Sequence, residues 1–415
     1  MTDRLTSALG AVVMLALAFA ACPRDRRRRV DPRTILGGLA LLVGFALVVL
    51  KTPARAFFGL ANDAVERMLS FSRAGGEFVF GGLASDTRSF GFIFAFQILP
   101  TIVFFAAFMS VLYYVGIMPF VVRQMGRAIA RLLHTSGAES FSTAADVFVG
   151  QTEAPLVIRP YLPTLTLSEL NACMTAGFAT TAGGVLAAYV GMLGPYVPGI
   201  AGHLIACSVM CAPASLVIAK LMLPETDTPR TTGASAIEIP RSGVNLLDAI
   251  ATGTTDGLRL AVNVGAMLIA FLALTALVNF GLRAAGDAAG VALSLERILG
   301  WVFSPLAWVM GVPAEDATKV GSLLGQKTVL NEFVAYSHMS QELTKDPAWL
   351  TERARLIASY ALCGFANFGS IGIQIGGYAG LAPERRGDLS RLALRAMIGG
   401  LLTTCLVACV AGVLL

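Results

Sequence analysis

The sequence carries little charge for its length. Lys, Arg, Asp and Glu make up 14% of its 415 residues, whereas soluble domains carry about 25% charged residues. Apolar residues make up 56%, and mean hydropathy is +0.72. This composition excludes a soluble globular protein and predicts an all-α integral membrane protein. The net charge is +5, and the basic residues cluster in short loops, which favours a role in membrane orientation over nucleic-acid binding.

Motifs for catalysis and for tight metal binding are also lacking. The three histidines are isolated from one another, and neither an H-E-x-x-H nor a G-x-S-x-G motif occurs. The seven cysteines show no C-x-x-C spacing of the metal-binding kind and lie almost all in apolar segments, as small buried residues do. They are Cys22, Cys173, Cys207, Cys211, Cys363, Cys405 and Cys409. The sequence therefore gives no support for an intramembrane enzyme.

A short polar block, Val149 to Pro155, interrupts an apolar stretch and reads V-G-Q-T-E-A-P. The apolar flanks are each too short to cross a bilayer, which takes about 20 residues. Backbone broken at membrane depth is tolerated only where it is buried in protein or lines a cavity. The block therefore predicts a re-entrant hairpin with Gln151, Thr152 and Glu153 at its tip. An ordinary polar loop is the alternative, but a carboxylate at this depth costs a few kcal/mol, which favours a functional residue.

A second block, Lys327 to Tyr336, again places one glutamate, Glu332, between short apolar segments. Each block is followed by a Gly-Phe-Ala tripeptide, at Gly177 and at Gly364, that opens an apolar, glycine-rich segment. A hairpin followed by an interrupted helix, occurring twice, is typical of a secondary transporter built from repeats, with its site where the broken helices meet. We therefore expect about eight transmembrane helices, two re-entrant hairpins, interfacial helices and an inverted-repeat core.

The arginine-rich loops indicate how the chain crosses the membrane. The run from Arg24 to Arg29 argues that the first apolar segment is retained and that this loop is cytoplasmic. Phe90 to Val122 is uncharged and predicts one long span, kinked at its prolines. The three arginines that follow at every fourth position predict an amphipathic helix on the cytoplasmic surface, or a cytoplasmic extension of that span. They are Arg123, Arg127 and Arg131.

Two expectations concern the later helices. Val244 to Arg259 has apolar residues at helical spacing together with charged ones, and predicts a helix lying on the surface before a span from Leu260 to Leu282. The last span is expected at Ala396 to Leu415, after a group of arginines on the inner side.

Four motifs together resemble the concentrative nucleoside transporter family. They are V-G-Q-T-E-A-P-L from Val149, S-V-M-C-A-P-A-S from Ser208, K-T-V-L-N-E-F-V-A-Y from Lys327 and C-G-F-A-N-F-G-S-I-G from Cys363. The resemblance runs from about residue 90 to the end of the chain. It implies a homotrimer in which each protomer carries its own site across the bacterial inner membrane in an elevator-like motion.

The resemblance also implies a substrate site. The groups facing the nucleobase would be Gln151, Thr152 and Glu153, with Val185 packing beside it and Phe365 near it. The ribose hydroxyls would be held by Glu332, Asn367 and Ser370. These residue types suit a nucleoside, because amides and hydroxyls match the edge of a base and a carboxylate accepts hydrogen bonds from vicinal hydroxyls.

The coupling cation is the open question in the sequence. By the resemblance it would be held by Asp146, Val149, Thr180 and Thr181. Asp146 stands where sodium-coupled members usually have asparagine, and Gly184 stands where a small hydroxyl residue is common. The aspartate could carry a proton, could ligate Na⁺ through its oxygens, or could pair with a nearby cationic side chain.

The sequence thus predicts a symporter that imports nucleosides, pyrimidine and possibly purine, with H⁺ or Na⁺ and with no other cofactor. A passive uniporter or channel is the alternative, and only a symporter would accumulate substrate against its gradient. The expected partners are the nucleoside, membrane lipid and two further copies of the chain, without nucleic acid. The expected units are 1–89 (first helices and outer loop), 90–135 (kinked helix and amphipathic helix), 136–223 (first half of the core), 224–318 (linker and scaffold helices) and 319–415 (second half of the core and last helix).

Overall fold

The computed structural model describes residues 2–51, 55–86, 89, 93–232, 244–288 and 290–415, and this part of the chain is helical without a β-strand. Its α-helices are α1 (Thr2–Ala20), α2 (Pro32–Lys51), α3 (Arg55–Phe80), α4 (Gly82–Ser85), α5 (Phe94–Gln97), α6 (Leu99–Val115), α7 (Ile117–Leu133), α8 (Gly137–Asp146), α9 (Ala154–Val157), α10 (Leu167–Ala179), α11 (Gly183–Leu193), α12 (Ile200–Met222), α13 (Leu246–Ala288), α14 (Leu295–Val309), α15 (Ala314–Val329), α16 (Glu332–Lys345), α17 (Glu352–Leu362), α18 (Phe368–Leu381) and α19 (Arg386–Leu414). Short 3₁₀ helices occur at Arg27–Arg29, Arg159–Thr164 and Pro383–Arg385.

The described helices include enough long apolar segments for the expected number of spans. Seven are long and apolar enough to cross a membrane, and α14 with α15, a pair bent by 118°, would make eight. The prediction of an all-α membrane protein with about eight spans is confirmed. The depth of the two hairpins in the membrane stays a prediction.

The same order of elements occurs twice in the chain. In the first half, α8 and the short α9 flank the first polar block, followed by a helix broken between α10 and α11 and then by α12. In the second half, α15 and α16 flank the second block, followed by a helix broken between α17 and α18 and then by α19. The predicted repeat of a helical pair and an interrupted helix is therefore present.

The expected kinked span from Phe90 to Val122 is wrong in its bounds. Within the described residues the helix ends at Val115 and a separate helix begins at Ile117, because Gly116 adopts a left-handed conformation with φ of +91°. Neither proline kinks a helix. Pro100 is the second residue of α6 and Pro119 the third of α7, positions where the missing N–H has no helical partner to lose. Residues 90–92 lie outside the described part.

The helix α7 is therefore not an unbroken extension of the preceding span. It turns its apolar face inward against α8. Gly126 allows the approach, because a Cβ atom there would lie 2.8 Å from the ring of Phe141. The arginine-bearing helix thus begins anew after Gly116, as the prediction of a separate amphipathic helix requires.

The predicted surface helix at Val244 to Arg259 is also wrong, because it is continuous with the span that follows and forms the 43-residue helix α13. Close packing on α6 explains the continuity. A Cβ atom at Gly253 would lie 2.6 Å from Cβ of Ser110, and one at Gly257 would lie 2.8 Å from Cβ of Ala106. The Ser110 hydroxyl also donates to the carbonyl oxygen of Ala249 (2.7 Å). Small residues at four-residue spacing let two membrane helices approach in this way, so α6 and α13 form one tightly packed pair.

The last helix also begins earlier than expected. It starts at Arg386, ahead of the predicted Ala396, and includes Arg391 and Arg395. The guanidinium of Arg395 donates to the carbonyl oxygens of Met222 (2.7 Å) and Ala21 (3.2 Å). These bonds satisfy carbonyls at the ends of α1 and α12, so the arginine joins three helices.

A buried ion pair fixes the base of the first polar block. The ammonium of Lys220 in α12 lies 2.7 Å from Oε2 of Glu139 in α8. The other oxygen of Glu139 accepts from the backbone N–H of Ser136 (2.8 Å) and caps α8. The ion pair thus fixes α8, the helix that leads into the first polar block, to the neighbouring span α12.

Candidate functional site

The breaks in the two interrupted helices lie against each other and against the first polar block. The Gly183 N–H donates to the carbonyl oxygen of Phe148 (3.0 Å), which joins the first block to the break before α11. Gly150 has φ of +86°, and a Cβ atom there would lie 2.8 Å from Cβ of Ala182. A Cβ atom at Gly364 would lie 2.6 Å from the carbonyl oxygen of Ala179. Three irregular segments therefore meet at one place in the fold.

Glu332, at the start of α16, is held by two buried donors. Nδ2 of Asn367 donates to its Oε2 (2.9 Å), and the hydroxyl of Tyr189 donates to its Oε1 (3.2 Å). Asn367 is itself fixed, because its Oδ1 caps α18 by accepting from the N–H of Ser370 (2.8 Å). The predicted ribose group Glu332, Asn367 and Ser370 is therefore brought together. Each carboxylate oxygen keeps a lone pair for a further donor.

Gln151 extends this cluster from the first polar block. Its Nε2 donates to Oγ of Ser370 (3.2 Å), and its Oε1 accepts from Nε2 of Gln374 (3.1 Å). Gln374 and Tyr189 were not predicted from the sequence. Gln374 follows Ser370 by one helical turn in an apolar helix, a spacing that could have identified it. Tyr189 lies in an apolar segment, where the sequence carries no signal for a role in the site.

The other predicted substrate residues differ in exposure. Thr152 and Glu153 are exposed, and the carboxylate of Glu153 lies close enough to Asp256 of α13 for the two charges to interact. Val185 is buried in the apolar core, and Phe365 is partly exposed at the second break. Among the described residues, no direct hydrogen bond joins Thr152 or Glu153 to the Glu332 cluster.

Asp146 ends α8 and is buried to 1% exposure. Neither of its carboxylate oxygens accepts a hydrogen bond from the described residues, and no described cationic side chain lies within ion-pair distance of it. The expectation that it pairs with a neighbouring cationic side chain therefore finds no partner in this part of the chain. A buried carboxylate without a partner is costly unless it is neutralised by a proton or by a bound cation.

The remaining predicted ion ligands lie on the elements that meet at the breaks. Thr180 and Thr181 are fully buried between α10 and α11, and Val149 is partly buried in the first block. The hydroxyl of Thr180 donates to the carbonyl oxygen of Ala176 (2.9 Å), which leaves its oxygen free to accept or ligate. Among the described residues, no group of three or more His, Cys, Asp or Glu is arranged so that it could hold a metal ion. A cation here would be held mainly by hydroxyl, carbonyl and single carboxylate oxygens, which Na⁺ accepts as a hard ion.

A buried lysine completes the electrostatics. Nζ of Lys327 donates to the carbonyl oxygen of Ala361 (2.8 Å) and to Oγ1 of Thr404 (3.0 Å). Ala361 lies in the last turn of α17, where a helix favours positive charge. The ammonium also lies within electrostatic range of Glu332 and offsets part of its charge. Lys327 stands out in the sequence as a charged residue beside apolar ones, but the sequence alone assigns it no role.

Comparison with known proteins identifies the family. Family models described as "Na+ dependent nucleoside transporter N-terminus", "Nucleoside recognition" and "Na+ dependent nucleoside transporter C-terminus" match residues 9–83, 95–196 and 203–412. "Sodium/nucleoside cotransporter 1" of Rattus norvegicus is 41% identical over 428 residues, which cover 99% of this chain and 64% of the rat protein. The chain belongs to the concentrative nucleoside transporter family.

Two further matches cover nearly the full length of this transporter. A Haemophilus influenzae protein described as "Uncharacterized transporter" is 46% identical, covering 98% of this chain and 97% of that protein. The solved structure of CNTnw in an inward-facing substrate-bound state is 42% identical, with a TM-score of 0.92 and coverage of 99% of this chain and 98% of that chain. The family consists of nucleoside transporters of the membrane and not of enzymes, and the present protein is one of them.

Proposed function

We propose that this transporter imports nucleosides, pyrimidine and possibly purine, by symport with Na⁺ or H⁺ across the bacterial inner membrane. The observation that carries the proposal is the Glu332 carboxylate, which Asn367 and Tyr189 hold where the broken helices meet. A fixed carboxylate with free lone pairs suits the vicinal hydroxyls of a ribose. Asn367 and Ser370 lie beside it for the same sugar, and the tip residues of the first block face the base.

The coupling cation is proposed to bind at Asp146. Its carboxylate is buried and has no partner among the described residues, so a cation or a proton is needed to neutralise it. Thr180, Thr181 and Val149 would add oxygen ligands for Na⁺. The names of the matched family models and of the rat relative refer to sodium, whereas a carboxyl group in place of an amide also suits a proton.

Transport is proposed to follow an elevator-like motion in a homotrimer. The tightly packed pair α6 and α13 would form the static part, while the two repeat halves carry the site. Solved CNTnw structures that resemble this chain are described as inward-facing and outward-facing, which supports two end states. The long helix α13 exposes large apolar side chains such as Ile269 and Phe280, and neighbouring copies or lipid would cover them.

Uptake of labelled uridine into proteoliposomes tests the proposal under a sodium gradient, an inward proton gradient, and neither. We expect uridine to accumulate under one of the two gradients and only to equilibrate without them. Accumulation driven by sodium would identify Na⁺ as the cation, and accumulation driven by protons would identify H⁺. Equilibration under every condition would indicate a uniporter or channel and contradict symport.

A further inference from the structure

Gln374 occupies the centre of a buried polar chain that leads to the substrate site. Its side chain is fully buried on α18. Its Nε2 donates both to the carbonyl oxygen of Met174 (3.0 Å) and to Oε1 of Gln151 (3.1 Å). Gln151 in turn donates from Nε2 to Oγ of Ser370 (3.2 Å). These hydrogen bonds thus join α10, α18 and the first polar block.

The backbone carbonyl of Met174 fixes the direction of the hydrogen bonds along this row of polar side chains. The carbonyl oxygen of Met174 can only accept, so Gln374 must turn its NH₂ group towards it. The same nitrogen faces Gln151, which must therefore present its oxygen to Gln374 and its NH₂ group to Ser370. Reversing either amide would place two donors or two acceptors face to face in a buried site, which is costly.

The orientation leaves specific groups available for a ligand. Gln151 keeps a second N–H that Ser370 does not use, and the Ser370 hydroxyl, whose oxygen accepts from Gln151, keeps its O–H. Both remaining groups are donors. They suit acceptor atoms on a nucleoside, such as the carbonyl oxygens of a pyrimidine base.

Gln374 and Gln151 pack closely against Gly177 of α10. A Cβ atom at Gly177 would lie 2.8 Å from Nε2 of Gln374 and 3.0 Å from Cβ of Gln151. Only glycine at residue 177 lets these two side chains pack over α10, and even an alanine there would have to push them aside. The packing therefore supports the same arrangement as the hydrogen bonds.

We propose that Gln374 is a positioning residue for nucleobase recognition. It contacts Gln151 and locks the Gln151 amide with its N–H groups towards Ser370 and the base. The inference rests on the proposed function, because it assigns the base to Gln151. Loss of Gln374 would leave the Gln151 amide free to rotate, and a misplaced binding group weakens binding although it is still present.

The test compares uridine uptake by the wild type with uptake by Gln374→Met, a nearly isosteric change that removes the amide. We expect the KM for uridine to rise about tenfold with little change in the maximal rate, on the scale of one or two lost hydrogen bonds. Gln326→Met is the matched control. It also deletes a buried amide, one bonded to Ser322 and His338 and to neither Gln151 nor Gln374, and it should keep the wild-type KM.

A double variant separates positioning from general structural damage. If Gln374 acts only through Gln151, then Gln151→Met together with Gln374→Met should show the same KM as Gln151→Met alone. Additive effects, or a wild-type KM in Gln374→Met, would overturn the inference. If Gln374→Met does not fold, Gln374→Leu removes the same amide and should give the same non-additive result with Gln151→Met. Absence of uridine uptake by the folded wild type would instead overturn the proposed function.

Discussion

Substitution of Glu332 by glutamine tests the substrate site most sharply, because the change keeps the shape and removes the charge. The glutamine oxygen can still accept from Asn367, and its NH₂ group can face the hydroxyl of Tyr189, which can rotate to accept. The contacts within the protein are thus largely preserved. What is lost is the capacity of the carboxylate to accept hydrogen bonds from two vicinal ribose hydroxyls.

The magnitude follows from these two bonds. Hydrogen bonds to a charged group contribute about 1.5–3 kcal/mol each, so two of them contribute about 3–6 kcal/mol. This corresponds to a loss of roughly 10²–10⁴-fold in affinity. We therefore expect Glu332→Gln to abolish or severely weaken uridine uptake while the purified protein keeps its melting temperature within a few degrees.

The assay is the KM of uptake in proteoliposomes, supported by calorimetric binding of uridine and of 2′,3′-dideoxyuridine. The dideoxy analogue lacks the hydroxyls, so it should bind weakly to the wild type and be insensitive to the substitution. Uridine transport by folded Glu332→Gln at close to the wild-type rate and KM would refute the assignment. Equal losses for both nucleosides would show that Glu332 does not read the ribose.

Three further predictions address neighbouring groups. Asp146→Leu should remove the cation site, so that uridine equilibrates across proteoliposomes under either gradient but no longer accumulates; undiminished accumulation would exclude Asp146 from coupling. Tyr189→Phe deletes one donor to Glu332 and should raise the uridine KM by about tenfold, and an unchanged KM would place the tyrosine outside the site. Gly150→Ala adds a side chain where φ is +86° and where the new Cβ would lie 2.8 Å from Cβ of Ala182. It should therefore lower the free energy of unfolding by about 1–3 kcal/mol and slow uptake, as thermal unfolding and uptake rates would measure. A wild-type melting temperature would show that the first block can move aside.

The repeat and the site elements could be predicted from the sequence because polar groups stand out in an apolar chain. Glu153 and Glu332 each mark a segment too short to span, and the glycines after them mark the breaks. The cluster of Glu332, Asn367 and Ser370 came from the family resemblance, and the structure brings these three together. Their direct role in binding nucleoside stays a prediction, as do the other assigned site residues.

Other features depend on contacts between distant parts of the chain. The hydroxyl of Tyr189 reaches a carboxylate 143 residues away, so its role is not visible in the local sequence. The spacing of Gln374 from Ser370 marks it as a candidate, but its partner is an amide 223 residues away. The continuity of α13 likewise depends on packing of Gly253 and Gly257 on α6. The break at Gly116 differs from the predicted kinks, because Pro100 and Pro119 are stronger helix-breaking signals in the sequence than a single glycine, yet both lie in the first turn of a helix.

Linkage between cation and nucleoside binding tests the central claim most directly. Uridine binding to the purified wild type would be measured by calorimetry with and without Na⁺, at a series of pH values. The account predicts that the Kd for uridine falls about tenfold or more when the coupling cation is supplied, whether Na⁺ or H⁺, because a coupled pair of sites must strengthen each other reciprocally. A uridine Kd that is independent of both Na⁺ and pH would contradict it.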